Sequence, residues 1–410
     1  MKLLHVTPHL GGGVGKAHAA LAALLPRDAI EQTFVLLEQP RDRRHVDVIA
    51  ACGANVLVAE SPAQVARLAA TADIVQFEFW NHPRMFECLA RADFAPMRCV
   101  FWAHISGLCA PFIPGSLIQT AARFVFTSEA SLASSEIVAL QREAPKKFAV
   151  INSGFGFASR PKPVLCKRKP AITYLGTVDF VKMHDGFFDA IDALSAVDTC
   201  VSVWGEAAEA VRERAQAMRH PHRIAFRGPA PDPCAALNEA DIFFYPLRPD
   251  HYGTAENALV EAMSLGLTPV VMSNPAEMAI VEDARTGFVA RSIEECTALL
   301  DMLLLLPDVR AKISRAATAH IAETRLPGIS VREFMILWLA LLSEPKRVCD
   351  FRSAIGASPA DWFAATQSPS FAHRPAVLKA GLPRASKGSL AHFESVFIGD
   401  ASLARLRSSM

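Results

Sequence analysis

The sequence lacks Cys-x-x-Cys pairs, an excess of either charge, and apolar segments long enough to cross a bilayer. Its nine cysteines are scattered and odd in number, which suits neither a zinc site nor a disulfide framework. The 42 basic residues nearly balance the 41 acidic residues, so no nucleic-acid partner is expected. The N-terminus lacks a signal peptide's long apolar region. We expect a cytoplasmic protein with reduced thiols, and leave open a peripheral contact with the inner face of the membrane.

Short apolar segments alternate with helical patterns along the chain, which is typical of βαβ units and parallel, doubly wound sheets. A chain of 410 residues exceeds what one hydrophobic core usually serves. We therefore predict two Rossmann-like α/β domains, at residues 1–158 and 171–343. The basic, proline-rich segment RPKPVLCKRKP indicates a linker at 159–170. Residues 344–410 form an extension, and its segment SLAHFESVF is a candidate helix that crosses back to the first domain.

The predicted strands follow from these apolar segments. In the first domain they are Lys2–Thr7, Gln32–Leu37, Asn55–Val58, Asp73–Glu78, Arg98–Ala103 and Arg123–Thr127. In the second domain they are Ala171–Gly176, Thr199–Trp204, Ile224–Arg227, Asp241–Tyr245 and Thr268–Met272. We predict a closing helix at Val331–Ser343.

A glycine-rich segment, GGGVGK, follows the first predicted strand and precedes a helix, where doubly wound folds bind anions. It is not a Walker A loop, because Leu10 and Ala17 occupy positions that require other residues. The dinucleotide fingerprint also fails, since its third glycine would fall on Lys16 or His18. The segment therefore predicts a turn that lets backbone approach a ligand closely, or else only a tight turn.

Polar side chains follow two other predicted strands of the first domain. Glu78, Asn81 and His82 come at the end of one strand, and His104 follows the next. Ligands of open α/β sheets bind at the carboxyl ends of the strands, so these residues are candidates to face a binding cleft. A histidine at a strand end is also often a structural cap.

The segment from Asp241 to Val271 predicts a strand, a polar loop and a helix that begins near Glu256. The amide groups at a helix start attract anions such as a diphosphate. Glu261, one turn further on, could accept hydrogen bonds from ribose hydroxyls, and Lys182 could offer a charge to phosphate. The alternative interpretation is an ordinary helix with an acidic first turn and one exposed glutamate.

Six segments of the C-terminal half occur in the order found in a known family. They are YLGTVDFVKMHD, VSVWGE, IAFRGPAP, CAALNEADIFFYPLR, ENALVEAMSLGLTPVV and AEMAIVEDARTGFVA. By these segments the sequence resembles the retaining nucleotide-sugar glycosyltransferases of the GT-B architecture, in the group called glycosyl transferases group 1. The resemblance extends over about residues 1–342 and is thin in the first half. It implies two Rossmann-like domains that face each other across a cleft, with the donor nucleotide on the second.

The resemblance implies a function for each matching residue. Lys182 matches the family's phosphate-binding lysine, and Glu261 its second glutamate, associated with the donor ribose. His104 matches the histidine near the transferred sugar. We expect catalytic roles for His104, Lys182 and Glu256. The expected donor-binding residues are Gly12, Gly13, Lys182, Arg248, Gly253, Thr254, Glu256, Asn257, Ala258 and Glu261, and the expected acceptor-side residues are Glu78, Asn81 and His82.

Two positions depart from the family pattern. Thr177 stands where the family has an arginine, and Gly253 where it has the first of two glutamates. One interpretation is that Arg248, His251 and Glu256 have taken over these functions; the other is that the protein is inactive. A non-catalytic nucleotide-sugar-binding or scaffold protein is therefore an alternative, as is an epimerase or phosphorylase of the same fold.

The chemistry implied is the departure of a nucleoside diphosphate while a sugar moves to an acceptor. Lys182, Arg248 and the helix start near Glu256 would stabilise the departing phosphates. No Asp-x-Asp motif occurs in the sequence, so we expect neither a metal nor a cofactor. The expected donor is a UDP- or GDP-sugar, and the acceptor a saccharide, a lipid-linked glycan or another glycan. Retention of configuration is implied by the resemblance alone.

Overall fold

The computed structural model describes residues 1–154, 157, 169–196, 198–368 and 387–409. The chain divides into two compact units. Unit 1 comprises Met1–Gly154, Tyr252–Ala255 and Pro327–Met410, and unit 2 comprises Phe155–His251 and Glu256–Leu326. The predicted linker, apart from its last two residues, lies outside the described residues.

Unit 1 is built on a parallel seven-stranded sheet with the order β3-β2-β1-β4-β5-β6-β7. The strands are β1 (Lys2–Thr7), β2 (Glu31–Leu36), β3 (Asn55–Val58), β4 (Ile74–Phe79), β5 (Cys99–Ala103), β6 (Arg123–Phe126) and β7 (Phe148–Val150). Every residue of β4 and β5 is buried, as expected for central parallel strands covered on both faces. The winding reverses between β1 and β4, so a ligand-binding crevice is expected at their carboxyl ends.

Unit 2 repeats this plan with a parallel six-stranded sheet of order β10-β9-β8-β11-β12-β13. The strands are β8 (Ile172–Leu175), β9 (Val201–Trp204), β10 (Ile224–Gly228), β11 (Ile242–Tyr245), β12 (Thr268–Met272) and β13 (Phe288–Ala290). Here the winding reverses between β8 and β11. The predicted pair of doubly wound sheets is confirmed.

Helices connect the strands in both units. Those among the strands of unit 1 are α1 (Gly12–Ala22), α2 (Arg44–Ala51), α3 (Pro62–Thr71), α4 (Pro83–Arg91), α5 (Gly115–Thr120) and α6 (Ser135–Glu143). Those of unit 2 are α7 (Phe187–Asp192), α8 (Glu209–Gln216), α9 (Pro233–Asn238), α10 (Asn257–Ser264), α11 (Pro275–Met278), α12 (Ile293–Leu305) and α13 (Pro307–Thr324). The C-terminal helices are α14 (Pro327–Leu342), α15 (Phe351–Ile355), α16 (Pro359–Ala365), α17 (Leu390–Val396) and α18 (Ala401–Ser409). None of the described helices has the length and apolarity needed to cross a membrane.

Helix α14 belongs to unit 1, so unit 2 ends at Leu326 rather than at residue 343. The indole N–H of Trp338 donates to the side-chain oxygen of Gln76 in β4, at 3.0 Å. Phe334 packs edge-on against Trp102 of β5, with 4.8 Å between ring centroids. The apolar pattern indicated a buried helix, but an apolar pattern does not specify which of two sheets the helix covers.

The rest of the C-terminal extension also lies in unit 1. Phe351 of α15 packs edge-on against Phe77 and Phe101 of the sheet. Phe393 of α17 contacts Phe86 of α4, with 5.9 Å between ring centroids. The segment predicted to cross back to the first domain therefore contributes side chains to the unit 1 core.

Replacing Trp338 by alanine should lower the free energy of unfolding of unit 1 by about 3–5 kcal/mol, because it opens a cavity and leaves Gln76 without its donor. Leu339→Ala is the matched control on the same helix. Leu339 is 57% exposed, so its truncation should cost no more than about 0.5 kcal/mol. Urea unfolding followed by circular dichroism measures both. Equal effects of the two variants would contradict a core role for α14.

Candidate functional site

The candidate donor site of unit 2 centres on Glu256, which comes directly before α10. Its φ of +34° is a left-handed conformation that is uncommon for glutamate. The buried carboxylate accepts hydrogen bonds at Oε2 from Lys182 Nζ, at 2.8 Å, and from the Tyr245 hydroxyl, at 2.9 Å. Burial alone would raise the pKa of Glu256, but the Lys182 ammonium and His251 bring it below its ordinary value. Glu256 is thus a charged counter-ion of Lys182 at neutral pH.

A second layer of polar side chains supports this pair. His251 Nδ1 lies 3.8 Å from Glu256 Oε1, while its Nε2 lies 3.1 and 3.2 Å from the two carboxylate oxygens of Glu277. Asn274 donates to Glu277 Oε1 at 3.3 Å and to the carbonyl of Leu247 at 3.1 Å. These contacts fix the loop after β11. Asn274 and Glu277 were not predicted as site residues; the signal for them in the sequence is an Asn-Pro-x-Glu helix start.

A helix was predicted to begin near Glu256, and α10 begins one residue later, at Asn257. Glu256 precedes α10, and its side chain makes no capping hydrogen bond to that helix. Its carboxylate contacts Lys182 instead, so compensation of the helix dipole does not explain it. Asn257 and Ala258 are the first two residues of α10, and Glu261 is buried in the next turn.

Arg248 lies beside Lys182 but its guanidinium is engaged elsewhere. Its backbone N–H donates to the carbonyl of Lys182 at 2.9 Å. Its Nε contacts Asp250 Oδ1 at 3.0 Å, and its Nη1 donates to the carbonyl of Phe180 at 3.0 Å. A phosphate contact would require Arg248 to leave Asp250, so Lys182 is the more directly placed cation.

Two predicted donor-binding residues, Gly253 and Thr254, belong to unit 1, while Glu256 belongs to unit 2. The Thr254 hydroxyl lies 3.3 Å from that of Thr127, directly after β6. The carbonyl of Tyr252 accepts from the backbone N–H of Ser106 at 3.1 Å. The predicted donor loop is therefore divided between the two units.

In unit 1, Glu78 of β4 is fully buried among three histidines. Its Oε2 lies 2.8 Å from His104 Nε2, and its Oε1 lies 3.0 Å from His18 Nε2 and 3.3 Å from His5 Nδ1. Burial alone would raise the pKa of Glu78, but His18 and His104 hold it well below its ordinary value. The predicted acceptor contact of Glu78 is not compatible with this enclosure.

The other two predicted acceptor-side residues differ from each other. Asn81 is fully buried with a φ of +58°, and its amide donates to the carbonyls of Pro111 and Phe112, so it holds a turn rather than a ligand. His82 precedes α4 and accepts the backbone N–H of Arg84 at Nδ1. It lines a pocket of about 340 Å³. The spacing of His82, His9 and Glu38, like that of His5, His18 and Glu78, would also suit a metal ion.

The geometry of the glycine segment is compatible with both interpretations offered for it. Gly12 opens α1 with a φ of +57°, and a side chain there would meet no neighbouring atom within 4 Å. The helix has no capping side chain and no acidic residue in its first turn, so its amides can face a ligand. Gly13 follows in that turn. Gly15, in contrast, is required by packing, because a Cβ would lie 1.8 Å from the carbonyl oxygen of Leu10.

A family model matches part of unit 2, and solved structures are similar to most of the chain. Residues 169–306 match the family described as glycosyl transferases group 1, whereas no curated protein matches the sequence. The structure is similar to that of a glycosyltransferase from Rickettsia africae ESF-5, with a TM-score of 0.65 and 14% identity over 84% of this chain and 99% of that one. Anabaena Alr3699/HepE in complex with UDP-glucose gives a TM-score of 0.66 and 15% identity over 83% of this chain and 100% of that one. At such identities the likeness shows the fold alone.

Unit 1 should lose stability between pH 6.5 and about pH 4, because burial lowers the pKa of His5 from 6.5 to about 4. In that interval the unfolded chain binds a proton that the folded chain does not, so the free energy of unfolding falls by up to about 1.4 kcal/mol per pH unit. His9 and His82, with pKa values lowered to about 4 and about 2, act in the same direction.

Urea unfolding at pH 7, 6 and 5 measures this slope. His5→Phe should make the slope shallower, whereas the control His222→Phe, at an exposed position, should leave it unchanged. A stability that stays constant from pH 7 to 5 would contradict the neutral, buried state of these histidines.

Proposed function

We propose that this chain, a nucleotide-sugar-dependent glycosyltransferase with the GT-B fold and a group 1 domain at residues 169–306, transfers a sugar from a UDP-sugar to a hydroxyl group of a glycan acceptor. The Anabaena protein in complex with UDP and with UDP-glucose supports the choice of donor base. Retention of configuration is part of the proposal and rests on the family resemblance.

One arrangement carries the proposal: Lys182 and Glu256 meet where the winding of the unit 2 sheet reverses. Lys182 follows β8, Glu256 follows β11, and these strands are neighbours. Open α/β sheets bind nucleotides at this point. The Lys182 side chain remains 16% exposed, so solvent reaches part of it although its partner Glu256 is buried. An ion pair with only a structural role would need neither a place at the reversal of the sheet nor a partly exposed lysine.

We assign Lys182 and the first amides of α10 to the diphosphate of the donor. As the bond between sugar and diphosphate breaks, negative charge grows on the departing UDP. A preformed ammonium and helix start stabilise that charge without reorganising solvent. Glu256 balances Lys182 in the free protein and, with the donor present, is left to accept hydrogen bonds from the transferred sugar. Arg248 contributes to diphosphate binding only if its guanidinium leaves Asp250 and contacts the phosphate.

In unit 1 we assign His104 to the transferred sugar and Glu78 to positioning it. The Glu78 carboxylate fixes the His104 proton on Nε2, which leaves the Nδ1 lone pair for a sugar hydroxyl. Burial lowers the pKa of His104, which keeps the ring neutral. Glu78 therefore acts through His104 rather than on the substrate.

Turnover of a panel of UDP-, GDP- and ADP-sugars with cell extract as the acceptor source tests the function. Mass spectrometry should detect release of UDP together with a new glycoside, and both should persist in excess EDTA. The positive charge at the diphosphate is supplied by Lys182 and α10, and the sequence has no Asp-x-Asp pair. Activity that EDTA abolishes and Mg²⁺ or Mn²⁺ restores would contradict metal independence. Binding without turnover of any donor would favour the alternative, a non-catalytic nucleotide-sugar-binding protein.

Variants of the ion pair separate donor binding from chemistry. Lys182→Met should weaken UDP binding about 10- to 100-fold, because it removes a charge-assisted hydrogen bond. Lys169→Met is the matched control, since Lys169 is exposed and its ion pair is with the exposed Asp198. Glu256→Gln should lower turnover on the order of a hundredfold without weakening UDP binding. Calorimetry and initial rates measure these effects; wild-type turnover in Glu256→Gln would leave Glu256 as a counter-ion alone.

A further inference from the structure

A pocket of about 340 Å³ lies in unit 1 at the carboxyl ends of three strands. His9 follows β1, Glu38 follows β2, and Trp80 and His82 follow β4. The wall is completed by Lys387 and His392, from the C-terminal extension. A cavity of this volume is large enough for a substituted monosaccharide.

Three histidines of the pocket share a feature that sets their chemistry. Each accepts a backbone N–H at Nδ1: His9 from Gly11 at 3.1 Å, His82 from Arg84 at 3.2 Å, and His392 from Gly388 at 3.0 Å. A neutral imidazole whose Nδ1 accepts must carry its proton on Nε2. Burial, with nearby cations, lowers the pKa of His9 to about 4, and burial lowers those of His82 and His392 as well. All three rings are therefore neutral N–H donors at Nε2.

The donors of His9 and His82 point to one place. Their Nε2 atoms lie 4.0 and 3.6 Å from Glu38 Oε1, distances longer than hydrogen bonds. Among the described residues neither N–H has a closer partner, although the His82 side chain is only 6% exposed. The buried indole N–H of Trp80 likewise has no partner within the described part of the chain. Such buried donors favour a ligand that supplies oxygen acceptors.

A metal ion is a poorer occupant, although the spacing of His9, Glu38 and His82 would allow one. A metal-bound Nε2 must offer its lone pair. His9 and His82 would then have to move their protons to Nδ1 and break the hydrogen bonds from Gly11 and Arg84.

The charges of the pocket favour an anion. Arg41 and Lys387 supply positive charge, and both help to lower the pKa of His9. Of the two carboxylates in the wall, Asp42 is already bonded to Arg44, at 2.8 Å. Burial raises the pKa of the other, Glu38. The N-terminal turn of α1 adds uncapped amides at Gly12.

We propose, on the basis of the proposed function, that this pocket binds the oxyanion of an acidic acceptor: a phosphate or carboxylate carried by the sugar or polyol that receives the transferred residue. The Nε2–H groups of His9 and His82 donate to the oxygens, and Arg41 and Lys387 balance the charge. The acceptor is thereby selected by its anionic substituent as well as by its hydroxyl groups.

Calorimetry on the full-length protein tests this with glucose 6-phosphate, glucuronate and neutral glucose. The two anionic sugars should bind at least about tenfold more tightly than glucose, as expected for charge-assisted hydrogen bonds. Lys387→Met and His82→Gln should each weaken glucose 6-phosphate binding about tenfold while UDP binding stays unchanged. Lys312→Met, at an exposed position of α13, is the matched control. His82 also caps α4, so Lys387→Met decides the outcome if His82→Gln fails to fold.

Three results would overturn the inference. Equal or undetectable binding of all three sugars would remove the anion preference. Lys182→Met weakens the proposed UDP site of unit 2. If UDP still competes with glucose 6-phosphate in that variant, the pocket binds the donor diphosphate. Binding of Zn²⁺ at one equivalent that is lost in His9→Phe would make it a metal site.

Measurements of turnover distinguish failure of the anion-pocket proposal from failure of the proposed glycosyltransferase function. Transfer only to neutral acceptors would refute the anion pocket and leave the glycosyltransferase intact. Glucose 6-phosphate binding in a protein that turns over no nucleotide sugar would refute the function and leave the pocket.

Discussion

A carboxylate that is removed from water must be matched by donors and positive charge, and both candidate sites are organised around this requirement. In unit 2 the requirement brings Lys182 and Tyr245 onto Glu256, and His251 with Glu277 behind it. In unit 1 it gathers three histidines around Glu78. Removing one partner would leave a buried charge uncompensated, so each cluster depends on all of its members. Charged groups placed in advance at the ends of parallel strands suit catalysis by electrostatic stabilisation.

Much of the fold could be predicted because parallel sheets have a strong local signature. Eleven strands were predicted within a residue or two, from β1 to β12 with β7 omitted. The omitted strands, β7 and β13, are three residues each at sheet edges, too short for a pattern to register. The start of α10 was predicted to one residue because a polar loop precedes it. Local patterns thus identified the elements.

Candidate site residues could be predicted only where a single residue at a strand end or a helix start indicates a function by itself. Lys182 and His104 were predicted from their places after strands and from the family resemblance, and Glu256 was predicted from its place at a helix start. Glu277, His5 and His9 were missed because their significance comes from contacts between distant parts of the chain. Trp338 lies far along the chain from Gln76 of β4, and His392 lies far from His82; no spacing rule anticipates these contacts. The sequence also does not predict which nitrogen of each imidazole carries the proton, because this depends on which backbone amide faces Nδ1.

Unit 1 is assembled from both ends of the chain, and this affects how the protein is made. The ribosome completes β1 to β7 long before it synthesises α14. Until then Gln76 and Trp102 lack the contacts that Trp338 and Phe334 make with them. Unit 2, continuous in sequence except for residues 252–255, can fold first. A premature stop codon after residue 326 would therefore expose the oldest part of the nascent protein, making it a substrate for chaperones and proteases.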